Sequence, residues 1–352
     1  MKVVFDKDGK NGTTFTITYS STLKNGRGIF GSANLTDFTS DLKSLENGQF
    51  MFRDSKLSSF SSDLSSLTNG HGMFQNCSNL ASFTSMNTTG ELSMSNLTNG
   101  YGMFYNCDKL IEFNCNDLSS LTDGSYMFEN CKALETFTSD LSALTNGEGM
   151  FYNCNDLTTF TSNLSSLTNC TYMFYNCDKL TDFDAKMSAL TNGEGMFSKC
   201  PSLTTFYSDL SSLTNGNYMF GDCDKLKSFY SDSSGSPVNL SALTNGNYMF
   251  YNCTSLTSFI CPSLSENVVV GESDAGYTAY AMFYNCTSLT SFESDLSKVA
   301  DGRYMFYNCT SLSEFKDTND SNDNNMFDLS KLTNGYAMFY NCINYKGSYY
   351  KG

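Results

Sequence analysis

Apolar residues recur along this chain in one fixed order. Over residues 57–77 they fall at Leu57, Phe60, Leu64, Leu67, Met73, Phe74 and Cys77, with Ser, Thr, Asn, Asp and Gly in between. The order returns with Met-Phe pairs beginning at Met51, Met73, Met103, Met127, Met150, Met173, Met196, Met219, Met249, Met282, Met305 and Met338, behind a degenerate Ile29-Phe30. Most steps are close to 23 residues. Such a period predicts a solenoid whose units touch only their neighbours and share one core.

Each coil divides into predictable parts. Leu three residues after the Cys, with Phe three later, predicts one short extended segment; the pair Leu64 and Leu67 predicts a second. The Thr-Asn-Gly that follows predicts a corner, because Asn and Gly tolerate positive φ. Met73 to Cys77 suits a single helical or 3-10 turn that sends Phe74 and Cys77 inward. The fold class is therefore a repeat solenoid, mainly β, of about thirteen coils of about 23 residues. Residues 1–20 are expected to cap or dock, 21–343 to form the solenoid, and 344–352 to close its far end. Identical side chains should lie in columns about 4.8 Å apart. Phe137, Phe160, Phe183 and Phe206 then form an aromatic spine, beside a buried column containing Cys154, Cys177 and Cys200.

The assembled pattern is C-x-x-L-x-x-F, then L-x-x-L-x-x-G, then Met-Phe-x-x-C. It resembles the BspA-type leucine-rich repeat over roughly residues 20–345. The resemblance implies a right-handed coil with a narrow parallel sheet. It also implies the adhesion roles common among bacterial and protist surface proteins of that family.

Charge narrows the partners. A formal net charge of -15 with no basic run argues against nucleic acid and against an anionic membrane surface. No stretch approaches the length of a membrane span, and residues 1–8 lack a signal-peptide core. Expected partners are therefore an assembly protein or a host-surface protein or glycan. A larger particle such as a bacteriophage virion is the favoured setting; a cell-surface adhesin and a cytoplasmic scaffold are the alternatives.

Of fourteen Cys, eleven stand four residues after a Met, without the CxxC or His partners of a metal site. Free buried thiols are the expectation. Cys170, which replaces a corner Gly, is expected to be the most exposed and reactive. The Asn before most column Cys, such as Asn76 and Asn106, is expected to satisfy turn backbone groups. Insertions at 85–93, 231–239, 316–328 and about 268–277 should project as loops, which are the usual binding elements of a rigid scaffold. One of them places Asp317, Asn319, Ser321, Asp323 and Asp328 at a spacing that could hold calcium, though a solvated acidic loop explains it more simply.

Two Tyr columns flank the Met-Phe pair. Tyr126, Tyr172, Tyr218, Tyr248 and Tyr304 precede it; Tyr105, Tyr152, Tyr175, Tyr251, Tyr284, Tyr307 and Tyr340 follow it. One column is expected to face solvent and to supply the binding surface. Catalysis finds little support: His71 is the single His, which argues against a His-based triad or a His-rich metal site, and Gly147/Gly149 and Gly193/Gly195 read as turn glycines rather than a phosphate loop. No enzyme activity, cofactor or resident metal is expected.

Overall fold

The computed structural model describes every residue except 1, 7–12, 19–21, 39, 88, 263, 265–278, 319–326, 347–348 and 351–352. The chain forms two compact units: Met1–Leu167 with Asn176–Asp178, and Thr168–Tyr175 with Lys179–Gly352. Both are repeat structures of short parallel strands, and the described residues contain no α-helix.

In the first unit, Ser59–Ser62, Ser82–Ser85 and Glu112–Asn114 pair in parallel, which aligns Phe60, Phe83 and Phe113. Thr136–Phe137 pairs likewise with Thr159–Phe160. Before them, Lys2–Asp6 and Thr13–Thr18 pair antiparallel, and the latter joins Leu35–Phe38. In the second unit, Phe183, Phe206 and Phe229 align across three strands, as do Phe259, Phe292 and Phe315. Thr159–Phe160 and Asp182–Asp184 bury their Phe and expose its neighbours, the period-two alternation of a one-sided sheet, whereas Phe113 is half-buried.

The core is broader than one aromatic spine. The Phe of each Met-Phe pair forms a second column that interlocks with the strand Phe. Phe74 and Phe104 stack at 5.3 Å, and Phe83 meets Phe104 edge-on at 4.8 Å. Phe183, Phe197, Phe206 and Phe220 repeat this in the second unit. Offset and edge-to-face rings place the positive ring edge against a negative face, which adds to the burial itself. Phe137, Phe160, Phe183, Phe206, Cys154, Cys177 and Cys200 are all buried.

The Met-Phe segment is not the single helical or 3-10 turn expected from its length. Alternate amides go to different partners: Phe74 N donates to Met103 O of the next coil, whereas Met73 N and Gln75 N close local turns on Gly70 O and Gly72 O. Gly72 and Asn76 hold positive φ, +56° and +61°, at the two ends of the turn. A helix cannot propagate through left-handed residues, so the segment stacks as a ladder of turns.

The corner glycine also acts differently from expectation. Gly70 and Gly100 of Thr-Asn-Gly do not hold positive φ; that conformation lies two residues later, at Gly72 and Gly102. Gly70 is needed for space, because a β-carbon there would stand 2.8 Å from Met103 Sδ. The Asn provides the corner: Asn69 Oδ1 accepts His71 N, and Asn69 bridges Asn47 and Asn99 in parallel.

The Asn before the Cys performs a second unexpected task. Its side chain does not go to the turn backbone but to its own kind. Asn76 Nδ2 donates to Asp54, Asn106 to Asn76, Asn130 to Asn106, Asn153 to Asn130 and Asn176 to Asn153, at 2.7–3.0 Å. The second unit has its own ladder from Asp222 through Asn252, Asn285 and Asn308 to Asn341. Asn tolerates left-handed φ better than other side-chain-bearing residues and carries a donor and an acceptor, which suits it to both duties.

Candidate functional site

Cys77 Sγ donates to Phe52 O, Cys107 to Phe74 O and Cys131 to Phe104 O, at 3.1–3.2 Å; Cys223, Cys253 and Cys286 do the same in the second unit. A sulfur that donates to a carbonyl is a protonated thiol, and burial pushes these groups above the ordinary thiol range. Cys170 is a correction. It is fully buried, not exposed, and its thiol points to Asn192 O at 3.5 Å. It occupies the corner-glycine position, where a Met side chain lies inside the coil, so its side chain also turns inward.

The calcium reading stands on one described contact. Asp317 is buried and its carboxylate accepts the Asp328 amide. Asn319, Ser321 and Asp323 lie outside the described residues, as does the insertion at 268–277. Among the described residues no group of three His, Cys, Asp or Glu side chains is placed to hold a metal. Two other insertions close on themselves. Asn87 Oδ1 accepts Thr89 N and Glu91 N. Asp232 Oδ1 accepts Ser234 N and Ser236 N; the Ser234 and Ser236 bonds lower its carboxyl to about 2.

The tyrosines form the distinctive surface. One column facing solvent was the expectation, yet both columns are partly exposed and pack on each other. Tyr218 and Tyr248 stack at 4.5 Å, and each meets Tyr251 edge-on. Tyr304 lies against Tyr307 at 5.8 Å, and Tyr251, Tyr284, Tyr307 and Tyr340 continue as a stacked row. Tyr340 is 59% exposed, and Tyr105, Tyr152, Tyr175, Tyr251, Tyr284 and Tyr307 are half-buried. Tyr175 also meets Tyr172 edge-on and carries the Lys199 ammonium over its ring.

The leading column occupies an unusual backbone. Tyr126, Tyr172, Tyr218, Tyr248 and Tyr304 all hold positive φ between +52° and +57°. At the same coil position Gly72, Gly102, Gly149 and Gly195 adopt this conformation without strain. A left-handed aromatic residue costs roughly 1–3 kcal/mol each. The rings also explain the glycines that look like turn residues: Tyr126 lies across Gly149, and Tyr172 across Gly195, where any β-carbon would collide with the ring.

Each unit carries a groove on this surface. In the second unit, Tyr218, Tyr248, Tyr251, Tyr280, Ala281, Tyr284 and Tyr304 enclose about 380 Å³. In the first unit, a groove of about 290 Å³ is lined by His71, Gln75, Tyr101, Tyr105, Tyr126 and Glu129. His71 sits between Phe50 and Tyr101, at 4.8 and 4.9 Å, and burial lowers its pKa. Burial raises the Glu129 carboxyl, while the Tyr126 hydroxyl donates to Glu148. Tyr101 and Tyr280, which stand two residues before the Met, belong to neither of the two Tyr columns expected from sequence. Their signal was the same register, occupied elsewhere by His71, Glu148, Glu194 and Arg303.

A family model for the BspA type leucine rich repeat region matches the chain at residues 5–99, 88–172, 124–247, 172–275 and 246–346. No curated protein matches. Among solved structures, a leucine-rich repeat protein from Bacteroides ovatus is 16% identical, covering 98% of this chain and 80% of its own, with a TM-score of 0.45. A leucine rich cell surface protein from Faecalibacterium prausnitzii is 17% identical, covering 91% and 94%, at 0.34. An internalin from Listeria monocytogenes is 13% identical, covering 74% and 81%, at 0.27. The ladder of Met-Phe turns, the strand Phe column and the family match agree: the chain belongs to the BspA-type leucine-rich repeat family.

Proposed function

We propose that the chain is a non-catalytic binding protein whose contact surface is the paired tyrosine columns. The groove at Tyr218, Tyr248, Tyr251, Tyr280, Tyr284 and Tyr304 is its most aromatic element. One observation carries this reading: five tyrosines sit in a left-handed backbone that other coils give mostly to glycine, with Phe50, Ala281 and Ala337 as the exceptions. Strain kept where a strain-free residue is available, on partly exposed rings, points to use of the rings. Tyrosine suits protein or glycan contact, since its ring offers rigid apolar area and its hydroxyl a hydrogen bond. The same reading makes the chain a structural or adhesion component, on a particle such as a virion or on a cell surface.

The test is Tyr248→Gly, which relieves the strained backbone and removes one ring from the groove. Wild type and variant are applied to a panel of purified surface proteins and oligosaccharides. A ligand held by wild type and lost by a variant whose melting temperature is no lower supports the surface. Equal binding by the two proteins overturns it.

A further inference from the structure

Within each unit the Met-Phe turn of one coil donates to carbonyls of the next. At the N-terminal end Gly26 N, Gly28 N, Phe30 N and Ser32 N donate to Asn47, Gln49, Met51 and Arg53 at 2.7–2.9 Å. At the C-terminal end Gly302 N, Tyr304 N, Phe306 N and Asn308 N donate to Asn334, Tyr336, Met338 and Tyr340 at 2.8–3.1 Å. The ladder in each unit thus has the same direction, and the first and last coils present different groups. The first coil turns the carbonyls of Asn25, Arg27, Ile29 and Gly31 outward, and among the described residues none of them has a donor. The last coil turns the amides of Gly335, Ala337 and Asn341 outward, and among the described residues none of these has an acceptor.

The described strands of both terminal segments pair elsewhere. Thr13–Thr18 pairs with the strand Leu35–Phe38, and Tyr349–Tyr350 pairs with Phe327–Asp328, away from the turns. The open turn at the C-terminal end is also apolar: Tyr336, Tyr340 and Ile343 are 67%, 59% and 71% exposed. An unpaired edge of this kind is a template for another chain.

We propose that the C-terminal turn of one molecule seats on the N-terminal turn of a second copy. The amides of Gly335, Ala337 and Asn341 then donate to carbonyls in the series Asn25, Arg27, Ile29 and Gly31, continuing the ladder across the junction. Side chains fit the same register. Tyr336 stands two residues before its Met and Arg27 two before Ile29, so the second copy's Arg27 follows Tyr336 in one column. Inside the chain this pairing already exists, with the Arg303 guanidinium 5.3 Å over the Tyr280 ring one coil earlier. Because the two faces are different, the contact is heterologous and each added copy presents a fresh end.

Sedimentation velocity of the full chain over a wide concentration range tests this. The expected result is a mass that rises with concentration past the dimer. Arg27→Glu and Tyr336→Asp alter exposed side chains, and each alone should shift assembly at least tenfold upward in concentration, with circular dichroism unchanged. Mixing the two variants restores one intact junction and should give a dimer that grows no further. A wild type that stays monomeric, a growth that stops at two copies, or variants that remain apart on mixing would each overturn the proposal.

Discussion

The sulfur of Met103 lies 2.8 Å from where a β-carbon on Gly70 would stand, with a Leu97 methyl at 3.3 Å. The relationship repeats as Gly48 with Met73 at 2.7 Å and Gly100 with Met127 at 2.9 Å. It loosens to 3.2 Å between Gly216 and Met249 in the second unit. The corner glycine is thus a packing residue, whose absent side chain is filled by the Met of the following coil.

Gly70→Ala should therefore lower unfolding free energy by about 1–3 kcal/mol, the range for an overpacked core. Gly216→Ala should cost less. On a Met103→Ala background the Gly70→Ala penalty should shrink, because the colliding atoms are gone. Urea unfolding of the four proteins measures this, and additive penalties would show that the two residues do not compete for space.

Phe160 stacks on Phe137 at 5.8 Å and meets Phe151 edge-on at 5.6 Å. Phe160→Ala leaves a cavity between two Phe columns and should cost about 3–5 kcal/mol. A loss below about 1 kcal/mol would contradict the interlocked core.

Asn106 donates to Asn76 at 3.0 Å, accepts from Asn130 at 2.8 Å and holds φ at +60°. Asn106→Ala loses both bonds and strains the backbone, for an expected cost of about 2–3 kcal/mol. Asn106→Gly loses the bonds alone and should cost less. Equal costs would mean that the left-handed conformation contributes nothing to the choice of Asn.

Buried thiols make stability fall at alkaline pH. Burial raises Cys77 to about 11 and Cys115 to about 12, from an ordinary value of 9.0. Below 9.0 both states hold the proton, so the stabilisation is complete. Above it only the unfolded chain releases the proton, and stability declines until the folded-state values are reached. Chemical denaturation at several pH values should show the decline begin near the ordinary thiol value, and Cys115→Ala should reduce its slope. The same burial should leave the native protein inert to Ellman's reagent until it unfolds.

The repeat made much of the architecture legible. Columns of Leu, Phe, Met and Cys, returning at a nearly constant step, can be buried only if successive coils stack in register. Phe74 and Cys77 could be placed inward from spacing alone, since the Phe repeats throughout and the Cys position turns polar in the Met51 coil only, at Ser55. The Tyr columns were visible for the same reason, although their mutual packing was not. Sequence spacing says which residues share a column and nothing about how two columns lean.

What the three-dimensional structure decided is the direction of individual groups. The order of the chain sufficed to say that Asn76 and Gly70 punctuate a turn. It could not say that Asn76 bonds to its own column, that Gly70 yields its space to Met103, or that Cys170 points inward. Those outcomes depend on atoms roughly 20–30 residues away in the chain, brought close by stacking. Periodicity dictates a stacked repeat because no other arrangement hides the same side chains every turn. Backbone angles and side-chain contacts between coils then fix which surface the tyrosines show and which hydrogen-bonding groups the end coils leave open.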